Sequence, residues 1–185
     1  MRRLAASVLV ILLAAHAGTV PAAEAAKPPA AATATAQTPA EPRERGSDSG
    51  MMLPRFASLA SDKINVRAGP GLRYPVSWTY VRRGQPVEVV AEFDYWRKVR
   101  DADGSEGWIH RGMLSPRRIA LIQGGVRDIR ADPDAAAPVV ARAEPGVRVR
   151  LVKCRTQWCE IELQSRRGFV LRAEMWGVYA DEIVE

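Results

Sequence analysis

The segment NVRAGPGLRYPV, Asn65 to Val76, returns sixty-three residues later as DIRADPDAAAPV, Asp128 to Val139. Downstream the correspondence continues at a shift of 62, with Gly84 on Gly146, Val87 on Val149 and Trp96 on Trp158. At a shift of 61, Gly107-Trp108-Ile109 falls on Gly168-Phe169-Val170. The offset drifts by single residues, which is how loops differ between copies of one module. A chain of 185 residues built this way is two successive modules of about sixty residues, not one medium domain.

Within the first copy, KINVR, PVSWTYV, PVEVVAEF, WRKVRD and EGWIH are rich in Val, Ile and aromatic residues and are separated by Gly, Pro and Asp. That spacing predicts short strands of an all-β barrel or sandwich. Asp103-Gly104 marks a hairpin, since glycine tolerates the positive φ of such a turn. The DxDG around it lacks the further oxygen ligands of a calcium loop. RGML, Arg111 to Leu114, suits a single helical turn before a last strand. Val66 with Ile129, Val76 with Val139, Trp96 with Trp158, Val99 with Ile161 and Trp108 with Phe169 are expected to form the two cores.

NVRAGPG, YPV, RRGQPVEVV, the Trp after a tight turn and GWIH, in this order, resemble the bacterial SH3 domain. The tandem form resembles a family of exported bacterial SH3-like proteins. The resemblance implies two small antiparallel SH3-like β-barrels, at 53–117 and 118–185 with a C-terminal tail, and a cell-wall ligand. In the second copy Asp132 and Asp134 replace the glycines at 69 and 71, which puts the loop conformation there in question.

Tyr74, Trp78, Tyr80 and Tyr95 face Ala137, Ala141, Ala143 and Gln157 in the second copy. Large and small side chains do not exchange in equivalent core sites without a cavity or a clash. These four aromatics are therefore expected to cover a contact between or within the modules, or to line a ligand groove. They are the ligand-binding candidates.

Residues 1–25 carry Arg2 and Arg3, an apolar run from Leu4 to about Val20, then small residues: the order of a secretory signal peptide, cleaved after Ala22, Ala23 or Ala25. The run falls short of a membrane span, so no stable membrane insertion is expected after cleavage. Residues 26–52, rich in Ala, Pro and Thr, are expected to form a disordered linker. Removing residues 1–25 leaves 25 basic against 20 acidic residues, from 27 and 21 in the whole chain. That modest excess favours weak contact with polyanions, but export argues against nucleic acid as a partner. A periplasmic or secreted location follows.

His110 is the only histidine left after cleavage, and no nucleophile stands beside it in sequence. No cysteine opens a helix, as a Cys/His peptidase requires, and modules this small rarely form the cleft that paired glycosidase carboxylates need. The expectation is a non-enzyme without cofactor or metal. Cys154 and Cys159, the only cysteines, align with Glu92 and Arg97 across a turn between adjacent strands. Such a cross-strand pair in an exported protein is expected to form a disulfide. Two thiolates without a nearby histidine supply only half of a tetrahedral zinc set, and the spacing is not that of a C-x-x-C redox pair. Three roles remain: recognition of cell-wall glycan or stem peptide, adaptor for an envelope protein, or a purely structural tandem.

Overall fold

The computed structural model describes residues Arg43 to Glu185; the expected signal peptide and residues 26–42 of the expected linker lie outside them. The described chain is nearly all β. A short hairpin of β1 (Glu44–Arg45) and β2 (Met52–Leu53) comes first. The first module contains β3 (Arg55–Leu59), β4 (Ile64–Arg67), β5 (Val76–Tyr80), β6 (Pro86–Phe93), β7 (Trp96–Arg100), β8 (Glu106–His110) and β9 (Leu114–Ser115). The second repeats it with β10 (Ile119–Ile122), β11 (Arg127–Arg130), β12 (Val139–Ala143), β13 (Arg148–Cys154), β14 (Trp158–Leu163), β15 (Arg166–Leu171) and β16 (Met175–Trp176). A single 3-10 turn precedes β9 and another precedes β16. The RGML turn is thus where the sequence places it.

The sheet orders are β5-β4-β8-β7-β6-β3-β9 and β12-β11-β15-β14-β13-β10-β16, antiparallel throughout and identical in topology. Register breaks fall at matching places, after Val66 and after Ile129, and between Val89 and Ala91 as between Leu151 and Lys153. Such bulges bend and twist strands, which lets a small sheet curl around its own core. One core gathers Leu59, Ile64, Val66, Val87, Val89, Val99 and Ile109; the other gathers Ile122, Ile129, Val149, Ile161, Val170 and Met175. These are the tandem SH3-like barrels expected.

Three expectations need correction. Val76 and Val139 are exposed, not core. Ser77 is the extra residue of the bulge, since Val66 pairs with Trp78 and Arg67 with Val76, so the alternation flips and Val76 faces out. Trp96, Trp158, Trp108 and Phe169 are only half-buried, because on a strand Trp96 cannot share the inward face of Val99, three residues on. Residues 43–52, placed by composition in the linker, form the first hairpin. Its turn seats against Glu92, whose carboxylate accepts from the Ser49 hydroxyl (2.6 Å) and the Ser49 amide (2.9 Å). Gly46 permits the approach: a Cβ there would lie 2.5 Å from Glu92 Oε2.

Cys154 and Cys159 are bonded, with Cα atoms 4.3 Å apart and both residues fully buried. They pair directly across β13 and β14. The chain end closes over them, where Cys154 and Val184 exchange backbone hydrogen bonds of 2.9 and 3.0 Å. The modules meet through Phe56, which contacts Trp176 edge-on (5.0 Å) and Tyr179 (4.6 Å). Tyr179 Oη donates to Glu88 Oε1 at 2.6 Å. Burial, then that bond and the Glu88 charge, push the Tyr179 phenol well above its ordinary range.

Candidate functional site

The four candidate aromatics do not form one platform. Tyr74 lies over Gly69 in the loop after β4, where a Cβ at residue 69 would come within 2.5 Å of its ring. The Arg67 guanidinium donates to the Tyr74 carbonyl (2.7 Å), and Arg130 donates likewise to the Ala137 carbonyl (2.7 Å) in the second module. The two loops also share the backbone bonds Ala68 to Pro75 (3.1 Å) and Ala131 to Pro138 (2.9 Å). The loop conformation therefore survives Asp132. Residue 69 is glycine because Tyr74 stacks there, whereas Ala137 leaves room for a side chain.

Trp78 and Tyr80 share one face of β5, touch edge-to-face at 6.1 Å and pack on the first core. Tyr80 Oη donates to Asp101 Oδ2 (3.2 Å), and burial, followed by the charge of Asp101 and this bond, raises the phenol. Asp101 Oδ1 accepts from the amides of Asp103 (3.1 Å) and Ser105 (2.9 Å). The DxDG segment is thus a self-capped turn, with Gly104 at φ +85°. None of these rings bridges the modules; Phe56, Trp176 and Tyr179 do.

Tyr95 stands apart at the β6–β7 turn and is 51% exposed. Its ring stacks on His110 at 6.1 Å and 11°, and the Arg111 guanidinium lies 4.6 Å from its centre. Trp96, paired with His110 across β7 and β8, meets the imidazole edge-on at 5.8 Å. His110 Nδ1 accepts from the Gly112 amide (3.1 Å). In the neutral ring that leaves the proton on Nε2 as a donor.

Trp96 and His110 form one wall of a hollow of about 370 Å³, whose other sides are Ile64, Leu72 and Met113 with Asn65, Lys63 and Arg67. No acidic side chain lines it. It combines aromatic faces, aliphatic surface, amide and imidazole hydrogen-bonding groups, and two cations. This suits a ligand with an apolar ring face and a carboxylate.

The corresponding positions of the second module keep Trp158 and Arg130 but hold Val126, Arg127, Asp128, Ala135, Leu171 and Glu174 in place of Lys63, Ile64, Asn65, Leu72, His110 and Met113, and Gln157 in place of Tyr95. There Arg127 pairs with Glu174 (3.2 Å), and Arg142 and Arg130 pair with Asp128 (3.0 and 3.6 Å). The charged positions there are ion-paired within the module. Sequence alone points to Tyr95, but it places Trp96 in the core and finds no nucleophile beside His110. The parity of WRKVR against GWIH, which puts Trp96 and His110 on one outer face, is the signal that finds them.

Among the described residues no group of three or more His, Cys, Asp or Glu side chains is arranged to hold a metal ion. Both cysteines are consumed in the disulfide.

Residues 60–116 and 126–177 match the bacterial SH3 domain family, once in each barrel. The chain belongs to the bacterial SH3 domain family. It is similar to YrvJ of Bacillus subtilis (strain 168), a protein assigned as an N-acetylmuramoyl-L-alanine amidase, at 23% identity over 125 residues. The match covers 62% of this chain and 24% of YrvJ, so the chain spans about a quarter of that relative's length. Two solved structures are similar at low identity. NlpC2 from Trichomonas vaginalis is 13% identical with a TM-score of 0.32, covering 66% of this chain and 48% of that one. An NlpC/P60 family protein from Bacillus cereus is 12% identical with a TM-score of 0.30, covering 65% and 55%. Bacterial SH3 domains are typically cell-wall binding modules, and this chain carries two of them.

Proposed function

We propose that the chain is an exported, non-catalytic binding protein that recognises peptidoglycan through the first module, with the hollow beside Tyr95, Trp96 and His110 as the site. The carrying observation is the composition of that hollow: aromatic and aliphatic walls, two cations and no acid. Peptidoglycan offers sugar rings with apolar C–H faces beside stem peptides that end in carboxylates. The rings fit the wall made by Trp96 and His110, and the carboxylates fit Lys63 and Arg67. The second module, with its ion-paired counterpart, is the weaker or non-binding copy. Among the described residues no helix is long and apolar enough to cross a membrane, and the secretory character of residues 1–25 supports delivery to the envelope. Tyr74, Trp78 and Tyr80 pack within the first module, on Gly69 and on its core.

Co-sedimentation with purified sacculi tests this. The wild type should pellet, and Tyr95→Ala with His110→Ala should abolish pelleting while the melting temperature stays nearly unchanged. Full retention by the double variant, over a salt series, sinks the proposal. A crosslinked envelope protein lost in the same variant, without sacculus binding by the wild type, establishes the adaptor role instead.

A further inference from the structure

A second concavity of about 720 Å³ lies at the seam of the modules. It is framed by one turn used twice. Gly84, at φ +74°, donates its amide to the Leu59 carbonyl (2.8 Å); Gly146, at φ +80°, donates to Ile122 (2.9 Å). Arg82 and Arg83 come from the first turn, Pro145 and Val147 from the second. Arg148 crosses the seam, its Nη1 donating to the Arg83 carbonyl. The floor is apolar, with Ile119, Val147 and Leu163.

No acid lines this cleft. Asp62, which touches the turn, accepts from the Arg83 backbone amide (3.2 Å). Arg82, Arg83 and Arg148 are exposed and have no ion-pair partner among the described residues. Arg150, two residues along the same strand, is paired with Glu162, and Arg118 with Glu182. Neighbouring arginines are neutralised, and these three are not.

Three guanidinium groups around one cavity repel one another and raise the local concentration of anions. Each presents a planar fork that matches the paired oxygens of phosphate. One carboxylate engages one such fork, whereas a chain of repeating anions engages all three, with its carbon skeleton against the apolar floor. We propose that the inter-module cleft binds a phosphodiester-bearing ligand, gripped by Arg82, Arg83 and Arg148. The site is separate from the aromatic hollow and does not depend on the peptidoglycan reading.

A soluble poly(glycerol phosphate) chain and vesicles of phosphatidylglycerol, with phosphatidylcholine vesicles as control, are the probes, titrated into the full chain at about 0.1 M salt, where screening removes diffuse attraction. Amide shifts should appear at Gly84, Gly146, Val147 and Gln164. Arg82→Gln with Arg83→Gln, and separately Arg148→Gln, should weaken binding about ten-fold or more, as expected on losing charge-assisted bonds. Arg155→Gln, the loss of an exposed cation that does not line the cleft, should bind as the wild type does. Binding of the poly(glycerol phosphate) chain alone identifies a soluble chain as the ligand, and binding of anionic vesicles alone identifies lipid headgroups; both uphold the phosphodiester site. The proposal is overturned if neither probe binds, if both arginine variants bind undiminished, or if the shifts centre on Trp96 and His110.

Discussion

Where β6 turns into β7, Glu92 faces Arg97; at the same register of β13 and β14, Cys154 faces Cys159. One module holds its hairpin by a buried ion pair and the other by a covalent bond. The Glu92 and Arg97 side chains are 0% and 3% exposed, with Arg97 Nε 3.2 Å from Glu92 Oε1. Each is then covered by an end of the described chain, the β1–β2 hairpin over Glu92 and Val184 over Cys154. The chemistry of the pair decides what the covering segment must bring. A disulfide needs only packing and a backbone bridge. A buried carboxylate needs donors, and the turn at Asp48 and Ser49 supplies them.

The largest expected effect separates the two solutions. Glu92→Ala strands the buried Arg97 guanidinium and deprives the Ser49 hydroxyl and amide of their acceptor. A loss of about 3–5 kcal/mol is expected, as for other broken buried pairs, with faster hydrogen exchange across residues 43–53. A loss below about 1 kcal/mol in denaturant unfolding would show that the pair is solvated in the working protein. Acid does the same by titration. Burial alone would raise the Glu92 carboxyl, but the Ser49 hydroxyl and amide, the Arg97 charge and the Asp48 amide together hold it below the usual range. A depressed folded pKa contributes stability fully present above the unfolded carboxylate range and lost as pH falls through the folded value. Exchange at residues 43–53 and 92–97 should therefore rise at acid pH before it rises around residues 154–159, where nothing in the cross-link titrates.

Next in size is Cys154→Ala with Cys159→Ala. The loop is short, so the entropy estimate gives about 2 kcal/mol. Intact-mass analysis after alkylation without reductant should find no alkylated thiol in the wild type; two alkyl groups on the folded protein would refute the bond in solution.

The comparison also marks how much was legible beforehand. The repeat, the strands and the disulfide follow from self-alignment, since Cys154 and Cys159 land on positions the first copy shows to flank a turn. The ion pair was within the same alignment, because Glu92 and Arg97 were named as the counterparts. What composition hid was the hairpin at 43–53. Its residues have no apolar periodicity; they are ordered by a carboxylate forty residues away, and donors such as Ser49 read as linker. The candidate site was half legible for a related reason. Residue type picked out Tyr95, but the roles of Trp96 and His110 rest on strand parity and a cross-strand partner.

Exchanging the solutions is a sharper test with a smaller effect. Glu92→Cys with Arg97→Cys places thiols at the register of the second module's bridge and should form a second disulfide. Removing a buried pair as a unit is far milder than breaking it, and the new link adds about 2 kcal/mol. Against this stands the loss of the donors at Ser49 and Asp48, so the net change should be about 1 kcal/mol. The informative readout is proteolysis, which should now cut within residues 43–53 while the barrel stays intact. Continued protection of that segment would mean that packing, not the carboxylate, holds it.

The smallest effect on stability falls at the hairpin tips themselves. Tyr95 lies at the tip of the first hairpin, and its counterpart in the second is Gln157, in the bend before β14; each accepts a backbone bond, from Arg111 (2.8 Å) and Arg172 (2.7 Å). Tyr95→Gln makes the first tip resemble the second while leaving the Glu92–Arg97 pair in place. Tyr95 is half exposed, and its contacts are surface ones with His110 and Arg111. The change should shift stability by no more than about 0.5 kcal/mol. Sacculus binding should nevertheless fall several-fold, since an aromatic anchor at a binding surface contributes about 1 kcal/mol or more. The imidazole then loses its stacked neighbour, although His110 Nδ1 stays fixed by Gly112. The complementary variant, Gln157→Tyr, should not create binding in the second module, because Leu171 stands where His110 would be and Arg127 with Glu174 occupies the floor. Equal binding by wild type and Tyr95→Gln would assign the difference between the tips to sequence drift and move the recognition surface elsewhere on the barrels.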